Sequence, residues 1–216
     1  MKITYLGHSC FCLENQQGIK VITDPYTQVG YELPQGLTAD VVTVSHGHFD
    51  HNYLPAIQGQ YEVVSTEGKH LAKGITFEGV HTWHDPKQGA LRGDNLLFKW
   101  EMDGVRICHF GDLGEEYSPE IAQWIENADV WLLPIGGKYT IDAKQAFAYV
   151  EQCQPKAVVL MHYRPLDGKL DIATAEGFLH LANAYPITHI PAGEWSVSKA
   201  DLQDKQTKII YMERRK

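Results

Sequence analysis

The 216-residue sequence lacks any long apolar run. No segment approaches the roughly 20 consecutive apolar residues that a membrane-spanning helix needs. The first eight residues, MKITYLGH, contain no apolar core of the kind found in an export signal. We therefore expect a cytoplasmic chain without a membrane anchor.

Positive charge is also scarce. The chain has 19 Lys and Arg against 27 Asp and Glu, a formal net charge of −8. Since such a balance gives no broad attraction for polyanions, it disfavours a nucleic-acid partner. We expect a small-molecule substrate and neither a nucleic-acid nor a membrane partner, and the sequence leaves a homo-oligomer open.

Paired cysteines and linkers are missing as well. None of the four cysteines lies in a Cys-x-x-Cys pair, so in a chain without an export signal they are predicted to be reduced thiols. No repeat, low-complexity tract or Pro/Gly/Ser-rich linker marks a domain boundary. The apolar fraction of 44% and the charged fraction of 21% are typical of globular chains. Residues 1–216 are predicted to form a single domain.

The order of the predicted elements favours an α/β fold with helices on the outer faces of sheets. Short β-rich runs fill the first third of the chain, and Asp103-Gly104 is typical of a two-residue hairpin turn. Farther along, strands alternate with helices, one of which begins with the capping sequence Ser118-Pro119-Glu120. The predicted strands are 2–6, 10–14, 19–23, 40–45, 95–102, 105–109, 130–135 and 157–161, and the predicted helices are 118–127, 141–153 and 172–183.

One loop carries the densest chemical signal, the sequence Ser-His-Gly-His-Phe-Asp-His-Asn after an apolar β-branched run. Four metal-ligand side chains, His46, His48, Asp50 and His51, occupy six consecutive positions. Imidazole and carboxylate bind borderline and hard divalent ions. The glycine between the first two histidines lets the backbone turn both toward one centre, while the adjacent Asp and His can face a second. The alternative is a polar surface loop that is rich in histidine by composition alone, which this density disfavours.

Four ligands in one loop do not complete two metal sites. Three further candidates stand out in later segments: His84 follows an additional strand-like segment and precedes a proline-marked turn, Asp112 lies between two glycines just past the hairpin strand, and His162 ends an apolar run. Because functional residues collect where strands end, we expect all three to approach the histidine-rich loop. His81 is an alternative ligand from the same segment as His84.

This arrangement resembles the metallo-β-lactamase fold hydrolases, and most of all their small cytosolic, metal-dependent branch. The shared pattern is His-x-His-x-Asp-His at 46–51, followed by a later histidine, a Gly-Asp and a final histidine. The resemblance implies a four-layer αββα sandwich of two mixed β-sheets flanked by helices. It covers roughly residues 2–163, and its branch-level motifs are Leu6-Gly7-His8-Ser9, Asp24-Pro25, the glycine turn at 111–114, the segment 134–140 and Met161-His162-Tyr163.

The resemblance also implies a centre of two divalent metal ions, with Zn²⁺ expected first and Mn²⁺ or Fe²⁺ as alternatives. It favours His84 over His81, because the family's ligand precedes a turn that contains glycine, here Gly89 and Gly93. Seven side chains are implied as ligands: His46, His48 and His84 for one ion, Asp50, His51 and His162 for the other, and Asp112 as a bridge.

Other residues are expected to support the ligands or to contact substrate. The resemblance implies that Asp24 hydrogen-bonds to a metal-bound histidine. His8 is expected either to support the site or to reach its rim, and His109 is expected to support or to pack. Substrate contacts are expected from four side chains next to ligand motifs, although an exposed Lys or Arg is more often a solvated charge: Arg92, Lys138, Tyr139 and Tyr163.

The predicted activity is metal-dependent hydrolysis of an ester, lactone or phosphodiester bond. Two ions lower the pKa of bound water toward about 7, so that a bridging hydroxide can attack, and Asp50 is the expected catalytic acceptor of the water's proton. Formal charges leave the centre positive, which favours a small anionic substrate. The alternatives are a di-iron oxidoreductase of the same fold and a metal-dependent nuclease or phosphodiesterase.

Overall fold

A computed structural model describes residues 1–215, in which two β-sheets pack face to face. The strands are β1 (Lys2–Gly7), β2 (Cys10–Glu14), β3 (Lys20–Thr23), β4 (Leu37–Thr38), β5 (Val41–Thr43), β6 (Ile57–Gln58), β7 (Glu62–Val64), β8 (Gly68–Ala72), β9 (Ile75–Trp83), β10 (Asp94–Met102), β11 (Val105–His109), β12 (Val130–Pro134), β13 (Ala157–Met161), β14 (Ile187–Ile190), β15 (Glu194–Ser196) and β16 (Lys208–Met212). The helices are α1 (Pro119–Ile125), α2 (Ala143–Cys153) and α3 (Glu176–Leu181), with 3-10 turns at Leu54–Ala56 and Lys199–Leu202.

Both sheets are mixed. The first has the order β15-β1-β2-β3-β5-β7, antiparallel from β15 to β3 and parallel from β3 to β7. The second has the order β14-β16-β13-β12-β11-β10-β9-β8, antiparallel from β8 to β11 and parallel beyond. The two-stranded pair β4-β6 lies outside both sheets. The predicted α/β class with mixed sheets and flanking helices is confirmed.

Alternating side chains of the first sheet enter two different apolar clusters. Ile3 and Leu13 belong to the main core, which also contains Phe98 and Trp100 of the second sheet. Residues of the opposite parity, such as Ile22, belong to a second cluster that is completed by the connecting segment 26–61. Since fully burying one large apolar side chain contributes about 1.5–3 kcal/mol, both faces of this sheet contribute to stability.

The helices cover the other face of the second sheet. Tyr149 of α2 packs its ring against Phe110, which in turn contacts Trp131 of β12. The Ser118 hydroxyl accepts a hydrogen bond from the Ile121 amide, so the predicted cap of α1 is present. Within residues 1–215, no helix is both long and apolar enough to cross a bilayer.

One predicted helix is shorter than expected. Residues 172–183 were predicted to be helical, but α3 includes only Glu176–Leu181. The Ala173 amide donates to the Gly136 carbonyl, and its own carbonyl accepts from Arg164, so these backbone groups hold two loops together and do not join the helix. Because those loops follow the ends of β12 and β13, the irregular turn contributes to the shape of one end of the molecule.

Strand direction determines where the predicted site residues collect. In the first sheet β1, β3 and β5 run in the same direction, and in the second sheet β9, β11 and β13 do so. The residues that follow the C-terminal ends of these six strands lie at one end of the two sheets: His8, Asp24, the loop 46–51, His84, Asp112 and His162.

Candidate metal centre

All seven predicted ligands belong to groups whose ligand atoms lie close together. One group contains the ligand atoms of His46, His48 and His84, all within 4.8 Å of one another. A second group brings His8, Asp50, His51 and His162 within the same limit. His46, His51 and Asp112 form a third group that connects the first two.

Asp112 lies between the two main groups. Its Oδ1 is 3.2 Å from Nε2 of His51. Its Oδ2 is 3.3 Å from Nε2 of His84 and 3.3 Å from Nε2 of His162. The side chain is 1% exposed, so one buried carboxylate faces histidines of both groups.

Asp24 fixes the orientation of two of these histidines. Its Oδ2 is 2.8 Å from Nδ1 of His51 and accepts the hydroxyl hydrogen of Ser45 at 2.6 Å. An ionised carboxylate can only accept a hydrogen bond, so Nδ1 of His51 is the donor. Nε2 of His51 faces Asp112; it carries no proton when the ring is neutral and carries the second proton when the ring is charged. The Ser45 oxygen, having donated to Asp24, accepts from Nδ1 of His46 at 3.0 Å, which leaves Nε2 of His46 free to bind an ion.

Asn95 is a buried residue of this site that the sequence did not predict. Its Oδ1 accepts from the Asp112 amide at 2.8 Å, and its Nδ2 donates to the Thr82 hydroxyl at 2.9 Å and to the Phe110 carbonyl at 3.0 Å. The side chain therefore links β9, β10 and the turn that carries Asp112. A Cβ at Gly111 would approach Asn95 Oδ1 to 2.3 Å, so this contact requires the glycine.

Burial and neighbouring charges together determine the pKa values of the buried groups, and they oppose each other at Asp112 and His51. Burial opposes ionisation of Asp112, but His162 and His51 hold the pKa of its carboxyl well below the ordinary value. Burial likewise opposes the charged form of His51, yet the carboxylates of Asp112 and Asp24 raise its pKa well above the ordinary value. Burial, followed by the nearby His51, lowers the pKa of His46 well below the ordinary value.

Several buried nitrogen and oxygen atoms of the cluster make no hydrogen bond within residues 1–215, which bears on whether the cluster can hold a cation. Five buried atoms have no hydrogen-bond partner in the part of the chain that the structure describes: Nε2 of His46, Nε2 of His51, both ring nitrogens of His162 and Oδ1 of Asp112. Leaving polar atoms unpaired in an interior costs free energy, and almost all buried polar groups are paired. Imidazole nitrogens and carboxylate oxygens grouped in this way form a donor set suited to a divalent ion, so the cluster can bind metal.

Backbone conformation at the strand ends is unusual. His8, Asp24 and His162 have φ values of 54°, 38° and 49°, in the left-handed region that non-glycine residues rarely adopt. Each immediately follows a strand that ends at the site. Such strain is found where the surrounding structure enforces a functional arrangement, which agrees with the convergence of these side chains.

Two other histidines have ordinary structural partners. Nε2 of His109 is 2.9 Å from the Ser9 carbonyl, and its Nδ1 accepts from the Gly111 amide at 3.2 Å, so this residue holds the turn before Asp112. His81, the alternative to His84, lies outside all three groups, and its Nε2 is 2.9 Å from Oδ1 of Asp94.

A cavity of about 690 Å³ opens beside the first group. His46, His48 and Arg92 line it, together with His81 and Asp94. Its volume is in the range of small-molecule sites. Arg92 is thus the one predicted substrate contact among the residues that line this cavity.

Tyr139 lies near two other residues that were predicted to contact substrate, Arg92 and Lys138. The guanidinium carbon of Arg92 and the ammonium of Lys138 each lie 5.5 Å from the Tyr139 ring centre. Lys138 also forms an ion pair with Asp171, so its charge already has a partner within the chain.

Tyr163 was expected to contact substrate, and the structure contradicts this. The side chain is 2% exposed, its hydroxyl donates to the Met212 carbonyl, and its ring packs 6.0 Å from that of Tyr5. Successive side chains at a strand end point in different directions, so the residue next to His162 is directed into the core.

Comparison with known proteins agrees with this geometry. Residues 2–162 match the family described as a beta-lactamase superfamily domain. A metal-dependent hydrolase from Pelotomaculum thermopropionicum is 31% identical over 194 residues, covering 76% of this chain and 84% of its own length. A second, from Carboxydothermus hydrogenoformans, is 29% identical over 192 residues and covers 76% of this chain and 84% of its own length.

A solved structure is similar over nearly the whole chain. It is a protein from Thermotoga maritima that is described as a Zn-dependent hydrolase of the metallo-β-lactamase superfamily. The TM-score is 0.77 at 31% identity, and the match covers 98% of this chain and 99% of that one.

Proposed function

This chain belongs to the metallo-β-lactamase superfamily and is a metal-dependent hydrolase, and from that membership we propose that it uses a dinuclear metal centre to hydrolyse an ester, lactone or phosphodiester bond of a small anionic substrate. One observation carries the proposal. The two oxygens of Asp112 face His51, His84 and His162, which come from different ligand groups, and a buried carboxylate in that position is suited to bridge two cations.

The assignment of ligands follows the two groups. His46, His48 and His84 would hold the first ion. Asp50, His51 and His162 would hold the second, with Asp112 shared. The donors are nitrogen and oxygen only, a set that Zn²⁺, Mn²⁺ and Fe²⁺ all accept. We propose Zn²⁺ first because the similar Thermotoga maritima protein is described as Zn-dependent.

The ions would supply a nucleophile at neutral pH by lowering the pKa of coordinated water toward about 7, and would polarise the bond to be cleaved. Asp50 would accept the proton of the attacking water. Burial opposes ionisation of its carboxyl, but His8 and His51 hold its pKa below the ordinary value, so it is ionised at neutral pH. Its 23% exposure gives water a route to it.

The surrounding residues would orient these groups. Asp24 keeps Nε2 of His51 directed at Asp112 and, through Ser45, keeps Nε2 of His46 available. Asn95 holds the Asp112 turn. Such outer contacts set the tautomer and direction of ligands and thereby affect metal affinity.

Arg92 would bind the anionic part of the substrate. It lines the cavity that His46 and His48 also line, and its guanidinium carbon lies 5.5 Å from the centre of the Tyr139 ring. A guanidinium in that place presents several donors to a phosphate or carboxylate. Together with the net charge of −8, this favours a small anion over a nucleic acid as the substrate.

The proposal includes the organisation of the chain. One core cluster contains residues from Met1 to Met212, which supports a single domain over residues 1–216. We also propose a cytoplasmic location, with which the four free cysteines, Cys10, Cys12, Cys108 and Cys153, agree.

A substrate panel tests the function. The metal-depleted protein is reconstituted with Zn²⁺ and with Mn²⁺ and assayed on a chromogenic phosphodiester, a phosphorylated lactone and a neutral ester. We expect activity only after reconstitution, with higher kcat/KM for the anionic compounds. Asp112→Ala should abolish it, whereas Asp201→Asn, at an exposed position, should not. Faster turnover of the neutral ester, or equal activity without metal, would contradict the proposal.

A further inference from the structure

The backbone of His8 is held in place at the end of β1, next to the second ligand group. This residue follows β1, has a left-handed φ of 54° and is 1% exposed. Its carbonyl accepts hydrogen bonds from the Tyr5 hydroxyl at 3.0 Å and from the His162 amide at 2.8 Å. Its amide donates to the Tyr31 hydroxyl at 3.1 Å. These three bonds fix the backbone and hence the direction in which the ring points.

The ring of His8 points at the second ligand group. Its ligand nitrogen lies within 4.8 Å of the ligand atoms of Asp50, His51 and His162. Nε2 is 3.3 Å from Oδ2 of Asp50, and the ring centre is 4.2 Å from that of His162. Four donor atoms from three loops therefore surround one point.

Both ring nitrogens of His8 are buried, and neither makes a hydrogen bond to any part of residues 1–215. Nε2 lies 3.3 Å from Oδ2 of Asp50, a charge contact that falls outside hydrogen-bond geometry. A buried imidazole without partners is costly, which means that a purely structural role does not explain this residue.

His109 is the internal comparison. It is equally buried and also lies near the ligands, but both of its ring nitrogens have partners, the Ser9 carbonyl and the Gly111 amide. That pattern is typical of a structural histidine. His8 instead shares with His162 the pattern of two unpartnered buried nitrogens in a ligand group.

We infer that His8 is a ligand of the second metal ion, alongside Asp50, His51, His162 and the shared Asp112; this inference rests on the dinuclear centre proposed above. The first ion then has three histidines and Asp112, a four-donor set of the kind that Zn²⁺ prefers. The second has three histidines and two carboxylates, a larger set that suits ions taking five or six ligands, such as Mn²⁺ or Fe²⁺. The two sites would differ in metal preference.

Counting bound imidazoles in the Co²⁺-loaded protein tests this directly. In proton NMR, each Co²⁺-bound histidine contributes one strongly shifted, exchangeable ring N–H signal. We expect six such signals from the wild type, from His8, His46, His48, His51, His84 and His162. His8→Gln should lose one of them, whereas the comparison variant His109→Gln should keep all six.

Affinity gives a second measurement. His8→Gln should weaken binding of one Co²⁺ by more than about 10-fold, the loss expected even for an outer partner, and leave the other unchanged. If the His8→Gln variant does not fold, His8→Asn is used in its place, because asparagine tolerates the left-handed backbone conformation. If the wild type binds two ions but shows only five signals, and His8→Gln shows the same five, then His8 is not a ligand, although the dinuclear centre would stand. Binding of fewer than two ions would overturn the dinuclear centre itself.

Discussion

Nδ1 of His51 donates a 2.8 Å hydrogen bond to the carboxylate of Asp24, and neither residue is exposed to solvent. The two lie 27 positions apart, at the ends of neighbouring parallel strands β3 and β5. This contact directs the opposite nitrogen of His51 at Asp112. The properties of the proposed centre therefore depend on a residue that would not touch either ion.

Asp24→Asn should weaken metal binding by about 10–100-fold without abolishing it, because the amide keeps the volume of the side chain but loses the acceptor charge. Competition with a chelator measures the affinity. Asp40→Asn is the control, because it makes the same chemical change just before β5, at the end of the strand away from the loop 46–51. It should bind metal as the wild type does. Equal affinity in both variants would count against the role of Asp24.

Asn95→Leu should lower the free energy of unfolding by about 1–3 kcal/mol, because it leaves the Asp112 amide buried without its partner and removes one of the two donors to the Phe110 carbonyl, which keeps the Leu113 amide. It should also reduce metal affinity, since the turn that carries Asp112 loses its support. Denaturant titration with and without metal separates the two effects. Asn183→Leu, at an exposed position, should change neither; a metal affinity that Asn95→Leu leaves intact would show that Asn95 acts on stability alone.

Metal binding near pH 7.5 should release a proton from His51. The carboxylates of Asp112 and Asp24 raise its pKa well above the ordinary value of about 6.5, so the metal-free protein holds a proton that a bound ion must displace. In the metal-free protein, this charged pair stabilises the fold fully below about pH 6.5, and the contribution is lost as the pH rises through the folded pKa.

An indicator dye in weak buffer counts the released protons during metal titration. We expect about one more proton from the wild type than from His51→Gln, which has no such group. His46 and His84, whose pKa values are lowered by burial, should release none. Equal release from both proteins would contradict the predicted charge of His51.

Arg92→Met should raise KM for an anionic substrate, by about 10-fold for the loss of one charge-assisted contact, and leave the metal content unchanged. Lys138→Met should have a smaller effect, because Lys138 is already paired with Asp171. Tyr163→Phe should leave KM unchanged, since its hydroxyl is buried against Met212. Steady-state kinetics on a chromogenic phosphodiester give all three values, and an unchanged KM for Arg92→Met would remove Arg92 from the substrate site.

The convergence of the candidate ligands was most predictable where one local pattern carried the chemistry. His46, His48, Asp50 and His51 occupy six positions, and no other assignment explained that density. The residues that follow later strands were predictable because strand order brings strand ends together. The role expected for Asp24 likewise agrees with its observed bond to His51.

Contacts between distant positions were not predictable. Asn95 is a neutral amide at the start of a strand, and its partners lie 13 to 17 positions away, so no local pattern marked it. Tyr163 was misassigned because proximity to His162 in sequence says nothing about which way each side chain points. The C-terminal strands β14 and β15 were not predicted, because they are short and partly exposed and lack a clear alternating pattern. The strand β16 was also missed, although most of its residues are buried.

Anomalous diffraction from crystals of the Zn²⁺-loaded protein tests the dinuclear centre most directly. We predict two peaks about 3.5–4 Å apart, one among His46, His48 and His84 and the other among Asp50, His51 and His162, with Asp112 touching both. A single peak in the presence of excess Zn²⁺, or two peaks of which neither contacts Asp112, would contradict the account.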